Sequence, residues 1–90
     1  MNAIQQYYYV YVLQSAKDGL FYTGYTGDLK KRIREHRDGQ VLSTKNRLPM
    51  KLVYWDGCLN QQDATRREKC LKSSWGKRYL KTRIANYLTG

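Results

Sequence analysis

Ninety residues allow one domain with one small core, leaving no room for a catalytic module beside a separate recognition domain. Seventeen Lys and Arg against seven Asp and Glu give a formal net charge of +10 and a pI near 9.8, a field that gathers polyanions, nucleic acid before an acidic membrane surface. The start MNAIQQYYY has neither the basic nor the apolar region of a signal peptide, no stretch approaches the ~20 apolar residues of a membrane span, and one His with two distant Cys supplies no structural zinc site, so the expectation is a cytoplasmic protein with two reduced thiols.

Residues 7–14 are aromatic and β-branched without a breaker and predict a strand. Asp18-Gly19 supplies the positive φ of a hairpin turn, and residues 20–26 predict the second strand. Gly24 inside that strand implies a bulge or a close backbone approach. Asp28 is a good N-cap for a helix over residues 29–37, with Leu29 and Ile33 on one stripe and Gly39 closing it. Residues 40–50 read as a polar, basic loop and 51–58 as a third strand. A second helix is expected over 60–74 and a third over 77–88, broken apart at Gly76, with Leu80, Ile84, Tyr87 and Leu88 on one face. The order β-β-α-β-α-α predicts an α+β fold, a mostly antiparallel three-stranded sheet flanked by helices.

Arg32 and His36 stand four apart and share a helix face at the edge of the Leu29–Ile33 stripe. A guanidinium can fork onto phosphate oxygens, and an imidazole beside it can move protons near neutrality. Both are also ordinary residues of the charged run KKRIREHR. In the second helix the row 64, 68, 71, 75 holds Ala64, Leu71 and Trp75, and puts Glu68 on the inward face. An inward carboxylate needs a cation. Arg66, Arg67 or Lys69 can supply it as a salt bridge, or a hard divalent ion such as Mg²⁺ can. Alternation sets Tyr7, Tyr9 and Tyr11 on one face of the first strand, and Tyr8, Val10 and Val12 on the other.

Tyr9-Val10-Tyr11, a hairpin, Tyr22-Thr23-Gly24, Arg32 and His36 ten and fourteen residues after Tyr22, and Glu68 on a later helix together resemble the GIY-YIG nuclease superfamily. The likeness is greatest to its small single-domain bacterial members, and runs over residues 7 to 88. The same module opens the incision subunit of nucleotide-excision repair and occurs in intron-encoded homing endonucleases. The first triplet departs from the pattern, reading YVY where the family has GIY. The family's late asparagine falls near Asn86 by position.

The resemblance implies a phosphodiester hydrolase with Tyr11, Tyr22, Arg32, His36 and Glu68 as catalytic residues, and Glu68 as ligand to Mg²⁺ or Mn²⁺. Tyr7, Tyr8, Tyr9 and Tyr25 then serve packing. DNA is the expected partner, and a role in repair or processing the expected setting. With the nuclease core filling the chain, substrate contact falls to charge: Lys30, Lys31 and Arg34 on the first helix, Lys45 and Arg47 in the loop Ser43-Thr44-Lys45-Asn46-Arg47, and Lys77 and Arg78 beyond Gly76. The competing expectation is a non-catalytic basic protein binding DNA or RNA on the same fold, and a further protein partner is compatible with either.

Overall fold

The structure, a computed structural model, describes residues 5–90. Strand β1 (Tyr8–Ser15) is central in a three-stranded antiparallel sheet, between β2 (Phe21–Thr26) and β3 (Met50–Cys58). Helix α1 (Leu29–Arg37) follows β2; α2 (Gln61–Lys72), α3 (Ser74–Arg83) and α4 (Ala85–Thr89) follow β3. The expected α+β architecture is therefore what forms. The helices end where side-chain chemistry dictates. Asp28 Oδ1 accepts from the Lys31 N–H at 3.2 Å, and Asn60 Oδ1 accepts from Gln62 and Asp63 N–H at 2.8 and 3.2 Å. Gly19 and Gly39 take φ of +73° and +74°, as the hairpin turn and the helix exit require.

The pleat separates two environments. Val10 and Val12 point at α2 and α3, where with Ala64, Leu71 and Leu80 they form the fully buried apolar core. Burying a side chain of this size contributes about 1.5–3 kcal/mol, so these few residues carry much of the stability of so small a domain. Tyr9, Tyr11 and Leu13 point the other way, toward α1, as alternation along β1 demands. The β1–β2 register runs unbroken from Tyr9↔Thr26 to Gln14↔Phe21, so Gly24 marks no bulge. The irregularity lies in β1–β3 instead, between Val12 and Leu13.

Two expectations about the helices need correction. Ser73, not Gly76, separates α2 from α3: its Oγ donates to the Cys70 carbonyl at 2.6 Å and accepts from the Gly76 N–H at 3.1 Å. Gly76 sits inside α3, buried, because a Cβ there would collide with the Cys70 carbonyl and the Leu71 backbone. Trp75 accordingly leaves the inward row of the second helix and lies exposed on α3. The expected third helix also breaks at Ile84, so Leu80 belongs to α3 while Tyr87 and Leu88 ride on α4. The loop over 40–50 is only partly the exposed segment its polarity suggests: Val41 and Thr44 are buried, and a 3₁₀ turn spans Lys45–Arg47. Both thiols are free and half-buried.

Candidate active site

Tyr11 occupies the middle of the central strand, paired with Gly24 of β2. A Cβ at Gly24 would stand 2.6 Å from the Tyr11 hydroxyl, so only a bare backbone lets the ring lie across β2. The hydroxyl then meets His36 Nε2 at 2.8 Å, from the last turn of α1. Both residues are about 1% exposed. The other imidazole nitrogen, Nδ1, lies 2.7 Å from Thr44 Oγ1, itself fully buried. The result is a buried polar chain, Tyr11–His36–Thr44, drawn from a strand, a helix and a loop.

Tyr22, one strand over and on the same face, packs edge-on to His36 with ring centroids 5.3 Å apart, and lies 6.5 Å from the Tyr11 ring. Arg32, one turn before His36, sets its guanidinium beside the Tyr11 phenol and bonds Glu35 Oε1 at 3.1 Å. Glu68 comes from α2, the helix on the opposite face, yet its charge reaches Tyr11. Tyr22, Arg32 and His36 therefore gather around the Tyr11 phenol, while the contact of Glu68 is with Lys72 on its own helix.

Burial raises the Tyr11 phenol above its ordinary value; Arg32 pulls it back, while Tyr22 and Glu68 push it further up. Burial also lowers His36, helped by the Arg32 charge and opposed by Glu35. At neutral pH the pair is thus a neutral phenol against a neutral imidazole, ready to exchange a proton rather than locked as an ion pair.

The Glu68 side chain is 19% exposed, and its Oε2 meets Lys72 Nζ at 3.2 Å, one helical turn on. The partner is not one of the three cations expected from the sequence. Arg66 turns to Asp63 and Arg67 to Asp56 across on β3, and α2's twist leaves the i+4 position for Glu68. Among the described residues no cluster of three or more metal-binding side chains forms. A carboxylate held by one exposed lysine still suits Mg²⁺, which keeps most of its waters and takes further oxygens from substrate phosphate.

Two hollows flank the cluster. One of about 500 Å³ is shared by Tyr25, Lys31, Arg32 and Glu35; another of about 260 Å³ by Tyr22, Lys72 and Lys77. Lys31 thus shares a hollow with Arg32, and Lys77 one with Tyr22. Lys30 and Arg34 line a different hollow further along α1, with Leu52, and Lys45 and Arg78 are exposed. Arg47 is otherwise engaged, bonding Asp18 Oδ2 and the Leu20 carbonyl at 3.1 Å each, so a phosphate there has to displace the hairpin turn. Asn86 is exposed on the short α4. Thr44, read from the sequence as part of a phosphate-holding loop, is turned inward onto His36 instead. Nothing in its local sequence signals this, because the contact spans the α1–β3 connection. Glu35 and Lys72 were legible in principle, as i+3 and i+4 partners of Arg32 and Glu68.

Comparison with known proteins finds the model of the GIY-YIG catalytic domain matching residues 7–88. A UPF0213 protein of Streptococcus agalactiae is 43% identical over 65 residues, covering 71% of this chain and 73% of its own length. A UPF0213 protein of Staphylococcus saprophyticus is 39% identical over 75 residues, covering 82% of this chain and 90% of its own. The solution NMR structure of a UPF0213 protein from Bacillus halodurans superimposes with a TM-score of 0.54 at 37% identity, over 84% of this chain and 83% of that one.

Proposed function

This chain belongs to the GIY-YIG catalytic domain family, with nuclease-type activity on nucleic acid, and on that premise we propose that it is a metal-dependent endonuclease hydrolysing phosphodiester bonds of DNA with little sequence specificity. The observation that carries the reading is the 2.8 Å bond between the Tyr11 phenol and a buried neutral imidazole, with the Arg32 guanidinium nearby. A phenol in that position takes the proton of an attacking water while passing its own to His36 Nε2. The water oxygen bonds to phosphorus as the P–O3′ bond breaks, leaving a 5′-phosphate and a 3′-hydroxyl. Arg32 matches the charge that builds on the phosphate oxygens in the transition state. Tyr22 faces the same space and orients the water or the phosphate.

Glu68 is the residue that would hold a divalent cation of the Mg²⁺ or Mn²⁺ class, exchanging its Lys72 partner for it. Such an ion supplies Lewis acidity toward the phosphate and the leaving oxygen. Lys31 and Lys77, flanking the cluster, hold neighbouring phosphates, which position the strand without reporting its sequence. Preference in this scheme follows strand state or branching, in the setting of DNA repair or processing in the cytoplasm. The test is cleavage of end-labelled single-stranded and branched DNA with and without Mg²⁺, beside the Glu68→Gln protein. Metal-dependent nicking by the wild type alone is expected. Binding without cleavage under all conditions would replace the enzyme with a basic nucleic-acid-binding protein.

A further inference from the structure

Thr44 is fixed from several sides before it meets His36. Its N–H donates to the Val41 carbonyl at 3.1 Å, and its carbonyl accepts from the Arg47 N–H at 2.9 Å, closing the 3₁₀ turn. Ser15 Oγ, from the end of β1, donates to the Arg47 carbonyl at 2.7 Å, and the Arg47 guanidinium grips Asp18. The loop is therefore anchored to the sheet and the hairpin, and its one fully buried hydroxyl stands against His36 Nδ1.

A neutral imidazole carries one N–H and offers one acceptor, so its two bonds cannot both be donated or both accepted. Which nitrogen holds the proton follows from the groups around Tyr11. The Arg32 guanidinium beside the phenol oxygen can only donate. Its positive charge favours a lone pair of that oxygen facing it, so the phenol proton turns toward an acceptor on another side. The buried acceptor at hydrogen-bond distance is His36 Nε2. The proton of the ring then sits on Nδ1, and Thr44 Oγ1 receives it.

We infer that Thr44 is a positioning residue that fixes His36 as the Nδ1-protonated tautomer, keeping Nε2 open to receive the Tyr11 proton. The opposite tautomer would point an N–H at the phenol oxygen and leave Tyr11 nowhere to pass its proton. For its effect on rate the inference rests on the proposed nuclease reading; the tautomer itself does not.

The chain has a single histidine, so ¹⁵N NMR of the imidazole reports His36 without ambiguity. In the wild type above its titration, protonated-type nitrogen is expected at Nδ1 and acceptor-type at Nε2. Thr44→Ser keeps the hydroxyl and should keep both the tautomer and kcat. Thr44→Val keeps the shape, removes the acceptor, and should move the proton toward Nε2. Its kcat should fall about 10- to 100-fold with KM nearly unchanged, the size of effect expected when an imidazole loses the partner that orients it. Wild-type protein found with its proton on Nε2 overturns the inference whether or not Thr44→Val folds. So does a folded Thr44→Val protein with unaltered tautomer and kcat. An Nδ1 proton in a protein that never cleaves DNA overturns the nuclease reading and leaves the tautomer assignment standing.

Discussion

The protein holds two clusters built of the same parts, phenols with an arginine, and they are put to different ends. Around Tyr11 the phenol meets an imidazole, and Arg32 bonds a single glutamate on its own helix. Between β3 and α3, Tyr54 donates to Asp56 Oδ2 at 3.0 Å, Arg67 donates to the same oxygen at 3.2 Å and lies over the Tyr79 ring, and the two phenols meet at 3.3 Å. Trp75 stacks on Tyr79 with planes 11° apart. In this second cluster the arginine charge is matched by a carboxylate shared with a phenol. Burial, with the Tyr79 bond adding to it, pushes Tyr54 up to about 12. The cluster contains no imidazole, and its contacts tie α2 and α3 to the sheet. The Tyr11 cluster differs by one residue type, histidine, and by an arginine that lines a hollow. A phenol and an arginine make chemistry only when a proton acceptor near neutral pKa completes them.

That contrast should break most severely at the side proposed to be catalytic. Glu68→Gln should abolish cleavage, and Tyr11→Phe should lower single-turnover rates by about 100-fold or more, the scale of a lost general base. Tyr54→Phe, the equivalent change in the second cluster, should stay within a few-fold of wild type. Equal losses for Tyr11→Phe and Tyr54→Phe would erase the distinction. Gly24→Ala tests the same point without touching a polar group. Its Cβ has to displace the Tyr11 hydroxyl, 2.6 Å away, so the rate should approach that of Tyr11→Phe and the His36 NMR signals should shift.

The arginines should trade effects. Arg32→Ala should lose about 100-fold in rate, as when one transition-state donor is removed. Its stability should change by about 1 kcal/mol or less, because the Glu35 pair is partly exposed. Arg67→Ala should keep the rate per folded molecule and lose about 1–3 kcal/mol in denaturant titration, leaving Asp56 without its cation and Tyr79 without its cover.

Smaller in size is the pH dependence of the imidazole. His36 is held below its ordinary value of about 6.5 in the folded protein, so the unfolded chain takes up a proton first as pH falls. The stability this group contributes is present above that value and is lost as pH drops through the folded pKa. Thermal melts between pH 7.5 and 5 should therefore fall more steeply for wild type than for His36→Gln, and the acid limb of kcat should lie below pH ~6.5. A wild-type melt no steeper than the variant's would mean that His36 is not held neutral. The smallest effect belongs to exposed charge: Lys45→Ala should weaken DNA binding alike for unrelated sequences and reduce the salt slope by about one ion.

Much of this was legible in the sequence because it is local or periodic. Alternation along β1 separated the tyrosines from the valines, Asp28 and Gly39 bounded α1 at its observed ends, and helical spacing set Arg32 with His36 and turned Glu68 inward. The residues' resemblance to a known family pointed to five groups, of which the fold sets Tyr22, Arg32 and His36 around the Tyr11 phenol. What the sequence misread depends on partners distant along the chain. Gly76 looks like a breaker, yet it lies inside α3 because the Cys70 and Leu71 backbone leaves no room for a side chain. Arg47 looks like a free cation until the hairpin turn, 29 residues earlier, offers it Asp18.

Thr44 marks the boundary most clearly. A threonine in a polar, basic loop carries no sign of burial, and α1 ends between it and His36, so no continuous helical or strand repeat relates the two. Pattern by itself determined which faces are apolar and which residues share a helix turn, since those follow from 3.6- and 2-residue repeats. Only the tertiary structure decided which hydroxyl stands behind the imidazole. A buried polar nitrogen has to find a partner, and packing of a loop against a helix and a strand is what supplies one.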